Sequence, residues 1–370
     1  MPCDALYLHI PFCEQKCPYC DFYSVPARPD RMDAYTGALI RAIETAPFPM
    51  GRLDTVYFGG GTPSVMGGKR LAQILEAADR QFGIQSGAEI TVECNPHSSL
   101  PETFRQLFSA GANRLSFGMQ SASNRQLALL GRPHTCADVE TAVSQAQQAG
   151  FSHISLDLML ATPGQTAGDI QAAVDTCARL GAEHVSAYLL KIEPGTAFAA
   201  RDVGRLCPDE DGQAALYLTA AESLARAGYR QYEISNFAED GQIARHNYKY
   251  WDCAEYLGVG PSAHSFIQGR RRFFPRRLQA FVENGNPWQL LEDDGPGGDA
   301  AEYLMLRARL ADGIRWASLR ERYPAYDCDA LRGRAKPLAD AGFLELDGEG
   351  LHLTVRGFLV SNAVIENLIG

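Results

Sequence analysis

A chain of 370 residues, 46% of them hydrophobic and 21% charged, can bury a large core and lies outside the composition of disordered proteins. Its net charge of −10 argues against a protein that coats nucleic acid, which needs a concentrated positive field, so no nucleic-acid partner is expected. No apolar run approaches the ~20 residues that cross a bilayer, and the first residues lack the basic and apolar regions of a secretory signal, so a cytoplasmic location is expected.

In chain order, short β-branched or apolar runs alternate with amphipathic stretches through the first two-thirds. The predicted strands are Leu6–Ile10, Thr55–Phe58, Glu89–Glu93, Arg114–Phe117, Ile154–Leu160 and Val185–Leu190. Between them lie the helical patterns Met32–Thr45, Leu71–Phe82, Ala137–Ala149 and Ile170–Leu180, with Gly83, Gly111, Gly150 and Gly181 as left-handed stops. Six strand-then-helix units predict an α/β fold, a parallel sheet with right-handed crossovers and chemistry at the carboxyl ends of its strands. Six are too few for a closed eight-stranded barrel, so a partial (β/α)6 TIM-like barrel, open on one side, is expected.

Beyond about residue 200 come a helix over Gln213–Ala227, a strand at Tyr232–Ser235 and aromatic, Gly-rich sequence to about residue 290. The basic run Arg270–Arg277 reads as a solvated loop, with a docking patch for an acidic partner or for carboxylates as the alternative. Residues 293–298, Asp-Asp-Gly-Pro-Gly-Gly, read as a linker. Helices at Ala300–Leu310 and Pro337–Ala341, a hairpin from Phe343–Leu346 and Leu351–Thr354, and a helix at Asn362–Leu368 make a winged-helix-like α+β pattern. The acidic charge favours packing over DNA binding for this module. The expected division is a core over residues 1–235, a connecting segment over 236–292 and the C-terminal helical, winged domain over 293–370.

Seven of the ten cysteines are scattered singly and read as small buried hydrophobes. Cys13, Cys17 and Cys20 instead fall in one loop after the first strand, with Pro11 and Pro18 opposing a regular helix. Three thiolates can hold three irons of a cubane and leave the fourth open, whereas a structural zinc site, the alternative, needs four ligands. Phe58-Gly59-Gly60-Gly61-Thr62-Pro63-Ser64 ends the second strand, where Gly lets backbone approach a ligand, and it fits neither a P-loop nor a dinucleotide fingerprint. Glu93, Gln120 and Asp157 place polar groups at the ends of later strands, where each needs a partner.

The CxxxCxxC after strand one, with Tyr19 before its last Cys, resembles the signature of the radical S-adenosylmethionine (SAM) superfamily. The resemblance implies a [4Fe–4S] cluster on Cys13, Cys17 and Cys20 whose open iron chelates the amino and carboxylate groups of SAM. Within it, the whole chain is similar to the coproporphyrinogen III dehydrogenase-like subfamily, which carries a Tyr before the cluster loop, matched by Tyr7. By that similarity Glu93 would bind the SAM ribose, Gln120, Arg132 and Asp157 would complete the pocket, and Gly60, Gly61 and Thr62 would contact the methionine end.

Two departures count against the dehydrogenase itself. Its fourth cysteine is Phe22 here, and its long N-terminal extension is missing before the first strand. His246-Asn247-Tyr248-Lys249-Tyr250-Trp251 instead resembles the HNxxYW motif of the subfamily's heme chaperones, where an imidazole could ligate heme iron and aromatics could pack on the porphyrin. A His beside aromatics is, by itself, also an ordinary structural feature. His264 is held as a second candidate, with turn capping as its alternative. The implied function is heme binding and delivery, without turnover, to acceptor hemoproteins, respiratory or membrane-associated ones included. The alternative is oxygen-independent decarboxylation of coproporphyrinogen III. The sequence leaves the oligomeric state open.

Overall fold

A computed structural model describes residues 3–98 and 101–370. Six strands, β1 (Cys3–Ile10), β2 (Met50–Gly60), β3 (Ile84–Cys94), β4 (Arg114–Gln120), β5 (His153–Leu160) and β6 (His184–Leu189), pair in sequence order, all parallel. Helices α1 (Pro29–Glu44), α2 (Gly68–Phe82), α3 (Pro101–Ser109), α4 (Cys136–Gln148) and α5 (Ala167–Arg179) connect them, and α6 (Glu210–Arg226) follows β6. The expected partial barrel is thus present. Only α3 lies outside the predicted connections, because its nine residues give barely two turns of periodic signal.

The strands carry a period of two. Leu6, Leu8, Val56, Phe58, Val92, Leu115, Phe117 and Leu156 belong to one continuous apolar core with Tyr35 and Leu39 of α1 and Leu71 and Ile74 of α2. The alternate positions, Tyr7, Tyr57, Glu93, Ser116, Asp157 and Ser186, are polar and face the barrel interior, with Glu93 in register with Ser116 and Asp157 with Ser186. Thr135 with Asp138 and Thr166 with Asp169 close capping boxes that start α4 and α5, fixing where the chain leaves the strand ends.

The sheet continues past the six-stranded core. Beyond β6 lie two short antiparallel strands, β7 (Arg230–Gln231) and β8 (Asn236–Ala238); the predicted strand Tyr232–Ser235 is instead the turn between them. On the other edge β9 (Leu257–Val259) runs parallel to β1. The segment after residue 235 therefore supplies strands to both edges of the barrel sheet.

A second sheet joins β10 (His264–Ile267), β11 (Arg270–Phe273) and β12 (Glu292–Pro296), all antiparallel. This corrects both the loop expected at Arg270–Arg277, whose first four residues are strand, and the linker expected at 293–298. Arg270 of the basic run binds Asp293 of the acidic one at 2.6 Å, and Arg271 binds Glu302 of the following helix at 2.6 Å while lying over the Phe266 ring. Pro296 is tolerated because β12 is an edge strand.

The C-terminal module holds α9 (Ala300–Arg307), α10 (Trp316–Arg322), α11 (Cys328–Asp340), α12 (Val355–Leu359) and α13 (Ser361–Ile369) around a small sheet of β13 (Ile314–Arg315), β14 (Leu344–Leu346) and β15 (Gly350–Leu353), α7 and α8 being Arg245–Trp251 and Leu278–Glu283. α11 starts nine residues before the predicted Pro337. That proline sits inside the helix, and the Gly333 carbonyl it leaves unbonded is on an exposed turn open to water. Among the described residues no helix is long and apolar enough to cross a membrane.

Candidate functional site

β1 runs straight into the three-cysteine loop. A short bridge of Phe12–Cys13 with Val25–Pro26 closes the loop at its base, where the Val25 and Ala27 N–H groups donate to the carbonyls of Pro11 and Cys13. Inside it the Cys20 N–H donates to the Cys17 carbonyl at 3.1 Å. All three thiols are free, half-buried and turned to one cavity of about 490 Å³ at the carboxyl ends of the strands. No three His, Cys, Asp or Glu among the described residues are set to hold a single metal ion. A tight loop offering three thiolates suits a polynuclear cluster instead.

The end of β2 is laced to that loop. Gly61 and Thr62 donate their N–H groups to the carbonyls of Ile10 and Phe12 at 2.8 and 2.7 Å, and the Thr62 hydroxyl lies 3.5 Å from the Cys13 sulfur. A Cβ on Gly61 would meet the Phe12 carbonyl at 2.5 Å. Gly60 adopts φ +115° directly over the His9 ring, a conformation that only glycine takes readily. The glycines thus let two backbones approach beside the thiols.

Glu93 accepts from the Tyr57 hydroxyl at 2.8 Å and from the Gly60 N–H at 3.2 Å. Burial, reinforced by nearby Asp157 and opposed by the Tyr57 hydrogen bond, pushes its carboxyl up to about 7. Burial likewise raises Asp157, which accepts from the Ser116 hydroxyl at 3.2 Å. Gln120 ends β4 in the left-handed region, φ +67°, a strained backbone of the kind found where a side chain must be aimed. Arg132 places one guanidinium nitrogen 3.1 Å from the Cys17 sulfur and another 2.9 Å from the Gly118 carbonyl, while its buried Nε has no partner among the described residues. The guanidinium thus sets a positive charge beside the Cys17 sulfur, where a cluster ligand would carry negative charge. The donor set and glycine clearance therefore fit a [4Fe–4S] cluster with a polar cofactor alongside.

Cys13, Cys17, Cys20, Gly60, Gly61, Thr62, Glu93, Gln120, Arg132 and Asp157 come together around this one cavity. Tyr7 does not line it. Its ring stacks on Tyr57 at 6.1 Å, its hydroxyl shares a hydrogen bond with His9, and Gly59 covers it. Ser116, Met159 and Tyr188 line the cavity without having been singled out from the sequence. Their inward register on β4, β5 and β6 was the available signal.

The largest departure concerns His246. It sits on α7, fully buried, with Nδ1 2.8 Å from the Thr55 hydroxyl and Nε2 2.8 Å from the Tyr250 hydroxyl, stacked on Tyr57 and with its backbone N–H on Glu89. Both ring nitrogens are engaged and the ring is fully buried, an environment that does not suit the expected heme-ligand role: here the histidine ties α7 to β2. Burial pushes its pKa down to about 3, so it stays neutral.

Residues 7–177 match the Radical SAM superfamily, and residues 299–360 match the HemN C-terminal domain. Over 99% of its length the chain is 38% identical to the heme chaperone HemW of Mycobacterium tuberculosis, of which it covers 95%. It is 33% identical, again over 99%, to the radical S-adenosyl methionine domain-containing protein 1, mitochondrial, of Bos taurus, covering 87% of that protein. Coproporphyrinogen III oxidase (HemN) from Escherichia coli superposes with a TM-score of 0.84 at 21% identity, over 99% of this chain and 90% of the other. At that identity the likeness speaks for the fold.

Proposed function

Because this chain belongs to the HemW heme-chaperone family of the radical SAM superfamily, we propose that it binds heme and delivers it to acceptor hemoproteins, acting as a chaperone rather than a turnover enzyme. The observation that carries the reading is the end-to-end likeness to HemW proteins, at 38% identity for one of them, across barrel and C-terminal module alike. Phe22, where the dehydrogenase subfamily has its fourth cysteine, supports it further.

In this reading Cys13, Cys17 and Cys20 hold a [4Fe–4S] cluster and Arg132 neutralises the charge at Cys17. Gly60, Gly61 and Thr62 offer backbone to the methionine end of SAM, Glu93 accepts from its ribose hydroxyls, and Gln120 and Asp157 close the pocket. Bound together, cluster and SAM supply one-electron chemistry. The chain's own part is to hold both at the strand ends, with Glu93 and Asp157 facing the same cavity. Ten free cysteines suit a reducing compartment, which we take to be the cytoplasm.

Transfer tests this reading. Heme-loaded protein mixed anaerobically with an apo-hemoprotein should pass its heme on, read as the growth of the acceptor's Soret band. Heme that stays put, or that moves no faster than free hemin, contradicts it.

A further inference from the structure

Heme-iron ligation by a histidine needs an imidazole with one ring nitrogen free to bind, and the fold withholds that from most of the chain's eight histidines. His9, His184 and His246 have both ring nitrogens engaged. His134 is buried on the Met119 carbonyl, and His153 and His352 face carboxylates. His97 borders the undescribed residues. His264 is exposed, and neither ring nitrogen has a hydrogen-bond partner among the described residues.

The backbone beneath it is built with close tolerance. A Cβ on Gly258 would lie 1.9 Å from the His264 carbonyl oxygen, and the Gly258 N–H donates to Ser265 at 2.9 Å. Gly260 turns the chain at φ +112° against the His9 carbonyl and the Tyr35 hydroxyl, and Ser262 follows at φ +74°. On one side the ring stacks on Phe273, centroids 5.6 Å apart. Partial burial lowers its pKa, favouring the neutral, ligating form. A fixed support carrying an unbonded ring is the arrangement a metal ligand needs.

The surface around His264 carries charge of both signs: Asp294 acts on the ring more strongly than the cations Arg276 and Arg271 do. Exposed Arg276 also reaches within 3.8 Å of Asp21 in the three-cysteine loop. Phe22, the next residue of that loop, is 68% exposed and lines the cysteine cavity. We propose that His264 is the axial ligand to the iron of bound heme, with Arg276 receiving a propionate and Phe22 presenting an apolar face to the macrocycle. The assignment rests on the heme-binding reading above.

Hemin titrated anaerobically into the cluster-loaded protein, followed by Soret difference spectra and the electron paramagnetic resonance of the ferric heme, tests the assignment. In His264→Gly the affinity should fall at least tenfold and the spin-state signature should change, and added imidazole should restore the wild-type spectrum. Arg276→Glu should weaken binding without altering that spectrum. If His264→Gly binds with unchanged affinity and spectrum, the assignment falls while heme binding stands. If the wild type binds no heme, the assignment and the chaperone reading fall together.

Discussion

Glu93 is held by two donors in the cavity wall, yet desolvation lifts its carboxyl up to about 7, so it changes charge near neutrality. An ionised carboxylate accepts better from ribose hydroxyls than a protonated one. SAM affinity of the cluster-loaded protein, measured by calorimetry, should therefore rise as pH climbs through about 7. Glu93→Gln should flatten that profile and weaken binding about tenfold at pH 8, a loss of ~1.4 kcal/mol. A wild-type profile that is flat from pH 6 to 8 would contradict the role given to Glu93. Gly61→Ala should displace the cysteine loop, because the new Cβ meets backbone and not a flexible side chain; iron and sulfide content after reconstitution reads the loss. The cluster thiols, the glycine run and the three strand-end polar residues were legible in the sequence because each is a local pattern. His246 was not, since its environment is made by Thr55 and Glu89, which are 191 and 157 residues away in sequence.

At the scale of elements, α7 acts as a strut between barrel and C-terminal module. Arg245 binds Asp54, Lys249 binds Asp54 at 3.0 Å, and His246 binds Thr55, all fixing α7 to β2. On its other side Tyr248 and Asp252 meet Arg307 of α9 at 3.1 and 2.9 Å, while the same guanidinium also holds Asp312 and the Gly313 carbonyl. His246→Gln should cost ~2–4 kcal/mol by denaturant unfolding, since a packed ring and its two hydrogen bonds are disturbed together, and it should leave heme affinity unchanged. An equal loss of heme affinity would return the histidine to the binding site. Arg307→Ala should lower the unfolding midpoint, by ~2 kcal/mol, because Asp252 and Asp312 are partly exposed and water recovers some of the loss. The six parallel strands were readable from their own periodicity, whereas β10–β12 were not. Their charged runs look solvated in isolation and become sheet only by pairing with each other.

For the whole molecule, the junction of barrel and C-terminal module contains a titratable group of its own. Glu233 is fully buried, bridges by its backbone to Leu310, and keeps one carboxylate oxygen without a partner among the described residues. Burial raises its carboxyl from 4.5 to about 7, so the folded state holds a proton that the unfolded chain releases. The associated stability is fully present below about 4.5 and is lost as pH rises through about 7, a change on the order of 3 kcal/mol. Glu233→Gln should flatten that decline in unfolding free energy; a parallel decline in the variant would exclude Glu233 as its source. The central claim concerns what the assembled protein carries, and the most direct measurement sets two ligands side by side. Cluster-loaded protein is titrated anaerobically with hemin and, separately, incubated with coproporphyrinogen III, SAM and a reductant. The account predicts one tightly bound heme per chain and no decarboxylated porphyrinogen. Turnover of coproporphyrinogen III without heme binding would contradict it.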